Sequence, residues 1–243
     1  MAAIQTRENN MTQPLDPAIW KAVCQTVDAR HSVRSYLPTQ VPREVIEEIL
    51  CVASRSPSGT NTQPWHVYVV SGAARARVVN AVCAAYDADP DRVEESYRDV
   101  YCNLNGEPYL TRKKRLGKAM YGLMGIGIGE REKMHAQRRR NFELFGAPVG
   151  IFVTVDKAVG HGSWMDAGMF MQTVMVVAKA YGLDTCPQAF WVQYESVVKS
   201  AIGWPDDQRL VSGICLGYVD DSAPENKLRS ERAPVEEFAV FQE

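Results

Sequence analysis

Two stretches of the chain hold side chains whose types and spacing could do chemistry. The first, Arg30-His31-Ser32-Val33-Arg34, puts two guanidinium groups and a hydroxyl within five residues, where a polar turn meets a helix end. A guanidinium is a planar fork of N–H donors with a permanent charge, so this cluster can grip a phosphate or another oxyanion. The second stretch follows one helix later and runs from Ser56 and Pro57 through Ser58, Gly59, Thr60, Asn61, Thr62 and Gln63 to Pro64 and Trp65. A small, polar, turn-rich loop of this kind can bring backbone N–H groups and side-chain amides up to a planar, hydrogen-bonding ligand. Either half alone also reads as a capped helix and a surface turn.

Other chemistries find less support. Gly125, Gly127 and Gly129 suggest a dinucleotide loop, but Glu130 stands where the third glycine of G-x-G-x-x-G belongs, and a helical pattern precedes it. The segment is therefore a helix break. Ser58 lacks the G-x-S-x-G elbow of a serine nucleophile. The six cysteines are scattered without a C-x-x-C pair, and they and the four histidines lack zinc-ligand spacing, so no metal is expected and the thiols should be reduced and mostly buried. The basic runs 112–115 and 138–140 read as solvated helix faces, with an electrostatic lure for anionic ligands as the sharper alternative.

The elements that must position these residues follow from periodicity. Asp16 caps a helix over 17–29 with Trp20, Val23, Cys24 and Val27 as its apolar stripe. A second helix over 39–54 buries Val45, Ile46, Ile49, Leu50 and Val52. Residues 65–70 form a near-continuously apolar strand, which predicts a central place in its sheet. Helix resumes over 72–86. A long polar excursion over 87–106 precedes helices over 111–126 and 130–145. Strands at 148–155 and 210–219, an extended segment at 183–190 and a helix at 194–202 complete the pattern. The helix over 162–181 is apolar on most sides, which suits a core centre or a subunit interface. Strands never adjoin closely enough for hairpins, so a sheet with mixed connections and helical cover is expected.

The order of the motifs adds to this. RHSVRSY, PSGTNTQPWHVYVVSG, FGAPVGIFV, MQTVMVVAKAYGLDTCPQA, LGYVD and a tail reading N-x-L-R-x-x-R-A-P-x-E-E together resemble the FMN-dependent nitroreductase family, of the NAD(P)H-dependent nitroaromatic reductase type. The resemblance implies an α+β sandwich, helices around a mainly antiparallel sheet, intertwined as a homodimer with FMN at the subunit interface. It implies that Arg30, Ser32, Arg229 and Arg232 hold the cofactor phosphate, with His31 contributing mainly backbone. It places Arg34 near N1 and O2 of the flavin, where it stabilises the reduced ring. Pro57, Ser58, Gly59 and Asn61 would come from the opposite subunit, while Pro187, Gln188 and Ala189 would face N5. No acid–base dyad is implied, because flavin N5 carries the hydride. NADPH or NADH would reduce the flavin, and a planar nitroaromatic would then take electrons in pairs, to nitroso and hydroxylamine, by a ping-pong mechanism. Enzymes reducing quinones or activated alkenes, or removing halogens, share the scaffold, as does a non-enzymatic flavin-binding role.

Composition is consistent with this picture and otherwise neutral. A chain of 243 residues, 46% apolar and 23% charged, can bury one large core. The net charge of -2 gives no electrostatic case for nucleic acid or a membrane surface. Residues 1–15 read as a mobile arm without a secretory signal, which points to the cytoplasm. Residues 16–243 would be a single domain in which 87–140 shapes the substrate pocket.

Overall fold

A computed structural model describes residues 16–94 and 104–242; the predicted arm and half of the predicted excursion fall outside these. The sheet is built from β1 (Trp65–Ser71), β2 (Val149–Asp156), β3 (Asp184–Gln188) and β4 (Gln208–Gly217) in the order β1-β2-β4-β3, every pair antiparallel. No two consecutive strands form a hairpin, because helical segments intervene each time. The expected α+β architecture with a mainly antiparallel sheet is therefore the one observed.

Seven α-helices surround the sheet among the described residues: α1 (Pro17–Ala29), α2 (Arg43–Ala53), α3 (Gly72–Ala88), α4 (Tyr109–Leu123), α5 (Arg131–Arg139), α6 (His161–Ala180) and α7 (Glu195–Ile202). On one face, α6 presents Ala167, Phe170, Val174 and Ala178 to Ile151, Val153 and Ile214, and Ile46 and Ile49 of α2 join this layer. On the other, Val78, Val82 and Tyr86 of α3 and the 3₁₀ segment Ala189–Tyr194 cover Phe152, Leu210 and Cys215. Both faces of β2 are consequently dry, and seven of its eight residues are buried.

Three expectations need correction. First, β1 is an edge strand rather than a central one, since it pairs only with β2 and leaves Val69 40% exposed. Its apolar run reflects helical cover on both faces, with Trp65 and Val67 against one cluster and Tyr68 and Val70 in the other. It says nothing about the number of strand neighbours. Second, Asp16 does cap α1, accepting from the Ala18 and Ile19 amides, but no residue of α1 is buried. Ile19, Trp20, Val23 and Val27 face outward, and Trp20 is 59% exposed. Third, α2 begins at Arg43, after Pro42, and Val52 is exposed.

The expected helix over 130–145 ends at Arg139 and tightens into a 3₁₀ segment, Arg140–Gly146, with Leu144 and Phe145 at positive φ. Those two buried side chains carry strained backbone because the segment must plunge into the core. Gly150 makes room for it: a Cβ there would stand 2.8 Å from Leu144 Cδ1. The glycines after α4 form the expected break, with Gly125 and Gly129 at positive φ. No helix among the described residues is long and apolar enough to cross a membrane.

Candidate functional site

After α1 the chain straightens. Arg30 has extended dihedrals, and the Val33 amide donates to the Thr185 carbonyl (3.1 Å), laying residues 32–33 along the open side of β3. Val33 is buried, so the alternation of an extended segment turns Ser32 and Arg34 to the other side. The tail returns to the same place. Ser35 O accepts from the Asp220 amide at 3.1 Å, and Asn226 Oδ1 accepts from the Arg34 amide at 2.7 Å.

Arg30, His31, Arg229 and Arg232, distant in sequence, thus gather at one end of the sheet. Burial and then the Arg232 charge lower the Arg30 pKa. Burial is also the main cause of the lowered His31 pKa, with the Arg229 charge adding to it and the bond to Ala29 O opposing it. His31 Nδ1 lies 3.1 Å from that carbonyl and is therefore assigned the proton, while Nε2 is buried with no partner. Among the described residues, Arg30, Arg34, Arg229 and Arg232 make no ion pair, although the nearby Arg112, Arg115 and Arg140 all do. The Arg34, Arg229 and Arg232 guanidiniums bond only to carbonyls and to the Ser230 hydroxyl through single nitrogens. Each has further N–H donors to give. Crowded cations without a carboxylate partner fit an anionic group.

Behind this cluster the edge strand leads to Pro187, Gln188 and Ala189. The Gln188 side chain is buried and turned to the core: Nε2 donates to Asn141 O (2.8 Å), while Oε1 accepts from Trp191 Nε1 (3.0 Å) and the Cys215 thiol. Gln188 therefore offers a ligand its main chain only. Cys186 and Cys215 face each other across β3 and β4, and burial raises both thiols, Cys215 well above the ordinary range. They stay protonated and inert.

The Ser58–Gln63 loop is shaped elsewhere. Thr60, Asn61 and Gln63 all have positive φ, an arrangement non-glycine residues hold only when their surroundings enforce it. Here Asp166 Oδ2 accepts from the Gly59 amide (3.2 Å), Ser58 Oγ accepts from the Gln63 amide (2.9 Å), and Ser56 Oγ donates to Thr173 Oγ1 (2.7 Å). Trp65 stacks on Phe170 at 4.8 Å. Pro57, Gly59 and Asn61 are left exposed. The loop is thus pinned along α6 at Asp166, Phe170 and Thr173, whereas the charges of Lys179 and Asp184, at the C-terminal end of α6, act on His31. Asp166 and Lys179 are separated by about 20 Å of helix. No hydrogen bond or ion pair joins the two stretches among the described residues.

Sequence reasoning missed three contributors. Asp166 could have been suspected as the lone charge in 162–178. Asn226 lies within the tail motif. Arg140 had no signal, standing in a run that reads as solvent-facing. The runs themselves are largely consumed by structure: Arg112 pairs with Glu237 and Arg115 with Glu231, both at 2.7 Å, Arg139 with Asp87 and Glu143, and Arg140 with Glu225. The two pairs from α4 bridge to the tail across a cleft of about 1170 Å³ whose walls include Leu116, Ala119, Arg229, Arg232 and Phe238.

An open antiparallel sheet between helical layers, with a cluster of carboxylate-free arginines at its edge, defines the class: an α+β protein of the sandwich type. Comparison with known proteins narrows it. Residues 27–218 match the model of the Nitroreductase family, and the chain belongs to that family. It is 36% identical to a nitrobenzene nitroreductase of Ectopseudomonas oleovorans, over 87% of this chain and 93% of the relative. It is 35% identical to a 4-nitrobenzoate reductase of a Nocardioides species, over 93% and 91%. The crystal structure of the FMN-dependent nitroreductase NfnB from Mycobacterium smegmatis, in complex with NADPH, superimposes with a TM-score of 0.87 at 30% identity, covering 93% of this chain and all of that one.

Proposed function

We propose that the protein is an FMN-dependent oxidoreductase that uses NADPH or NADH to reduce nitroaromatic compounds in two-electron steps, to nitroso and hydroxylamine products. The observation that carries the reading is the gathering of Arg30, Arg229 and Arg232 at one end of the sheet, with Arg34 on the same segment as Arg30 and none of the four paired to a carboxylate among the described residues. Relatives above 30% identity named as nitroreductases supply the substrate class, and the NfnB structures supply FMN and NADPH.

Bound FMN would supply the redox chemistry, taking hydride from the nicotinamide and passing electrons in pairs to the nitro group. The chain's own residues do the rest. Arg30, Arg229 and Arg232, with the Ser32 hydroxyl, hold the phosphate by charge-assisted bonds, and His31 contributes mainly its backbone. Arg34 holds a fixed positive charge that favours the more negative, reduced form of the ring. Pro187, Gln188 and Ala189 present main-chain groups along the edge strand. Pro57, Ser58, Gly59 and Asn61 serve the site of a second copy, since their loop lies along α6 from the phosphate grip of their own chain. A twofold homodimer with FMN between the subunits follows, and it gives the bare apolar face of α1 a partner.

The mechanism makes a kinetic prediction. Double-reciprocal plots against NADPH at several nitrobenzoate concentrations should be parallel, as ping-pong exchange at one site requires. Intersecting lines would mean that both substrates bind together. A quinone and an activated alkene, assayed beside the nitroarene, show whether the site prefers another acceptor.

A further inference from the structure

The tail motif contains an asparagine that ligand binding alone does not explain. Asn226 is 4% exposed, and its side chain satisfies three main-chain groups at once: Oδ1 accepts from the Arg34 amide (2.7 Å), while Nδ2 donates to Ser35 O (2.8 Å) and Asp220 O (2.9 Å). Its own carbonyl accepts from Arg229 Nη1 at 2.8 Å. One residue thereby fixes the backbone that carries Arg34 and one nitrogen of the Arg229 fork. The preceding residue is held just as firmly. Glu225, 5% exposed, pairs with Arg140, whose Nη2 also donates to the Arg34 carbonyl at 3.1 Å. Arg34 is thus bonded at its amide by Asn226 and at its carbonyl by Arg140. Arg140 and Asn141 stand at the start of the segment leaving α5, and Asn141 holds the Gln188 side chain. A rigid brace of this kind keeps two like charges at a set spacing in the absence of their ligand.

We propose that Asn226, locked by the Arg140–Glu225 pair, is a positioning residue that sets Arg34 and Arg229 against the cofactor and so tunes both its affinity and its potential. The inference rests on the reading of this site as the FMN grip. It differs from a merely structural role in one respect: a misplaced Arg34 weakens the reduced cofactor more than the oxidised one. The test is a redox titration and an FMN binding titration of the full-length Asn226→Ala and Arg140→Lys variants. Lysine keeps the charge opposite Glu225 but, as a single ammonium on a flexible stem, cannot reproduce the fork that also reaches the Arg34 carbonyl. Both variants should bind oxidised FMN about tenfold more weakly than the parent and hold reduced FMN a further threefold to tenfold more weakly. A further tenfold corresponds to a potential about 30 mV lower for a two-electron couple. Arg140→Lys keeps the test standing if Asn226→Ala does not fold. Unchanged potential and affinity in a folded Arg140→Lys protein overturn the proposal. Arg30→Ala, titrated in parallel, separates the two claims. If it too binds FMN normally, the site reading fails; if it alone loses FMN, only the brace fails.

Discussion

Arg30→Ala is expected to lose FMN on dilution, with a dissociation constant raised about 10- to 150-fold. A charge-assisted hydrogen bond to a phosphate is worth about 1.5–3 kcal/mol, and every 1.4 kcal/mol is tenfold in affinity. The sign of the effect on the apoprotein runs the other way. Burial and the facing Arg232 lower the Arg30 pKa, so its charge is disfavoured in the folded chain without a ligand. Alanine should therefore leave the melting temperature of the apoprotein unchanged or higher, while the increase produced by added FMN shrinks. Paired thermal scans with and without FMN check both halves. A variant that melts lower without cofactor yet gains as much from FMN as the parent would make Arg30 a structural residue and remove it from the grip.

Trp20→Glu is expected to give a monomer that purifies without stoichiometric FMN. The apolar side chains of α1 project from one face and none is buried within the protomer, so a charge there costs the isolated chain little. In a twofold interface the same residue occurs twice. A central tryptophan is worth about 2–4 kcal/mol, before the cost of burying a carboxylate in its place. Sedimentation of the variant at micromolar concentration, with its absorption at flavin wavelengths, reads oligomeric state and cofactor together. A folded monomer that keeps its FMN would show that one chain suffices, and that the Ser58–Gln63 loop does not complete a partner's site.

Local periodicity carried most of the fold. Asp16 and Pro17 gave the start of α1 to the residue, and the apolar pattern of 162–181 found α6 within one residue at each end. Sheet position was not legible, because an edge strand covered by helices on both faces looks like a central one, as β1 shows. Nor could a stripe such as Trp20, Val23 and Val27 say whether its partner lies in the same chain. Within the proposed site, Arg30 and Arg34 stood out as charges near a turn, while Arg229 and Arg232 read as tail charges that only the family resemblance drew to the cofactor. The residues that hold them did not. Asn226, Arg140 and Asp166 act through main-chain amides and carbonyls, and nothing in their identity announces those contacts. The Gln188 side chain is consumed by Asn141 and Trp191, which leaves its main chain for the role the resemblance implies.

The most direct test of the central claim is the visible spectrum of the purified protein, followed without oxygen as NADPH and then a nitroarene are added. The expected result is a yellow protein whose flavin absorption bleaches with NADPH and returns with the nitroarene, at one flavin per chain. A colourless protein that FMN cannot reconstitute, or a bound flavin that NADPH and NADH leave oxidised, would contradict it.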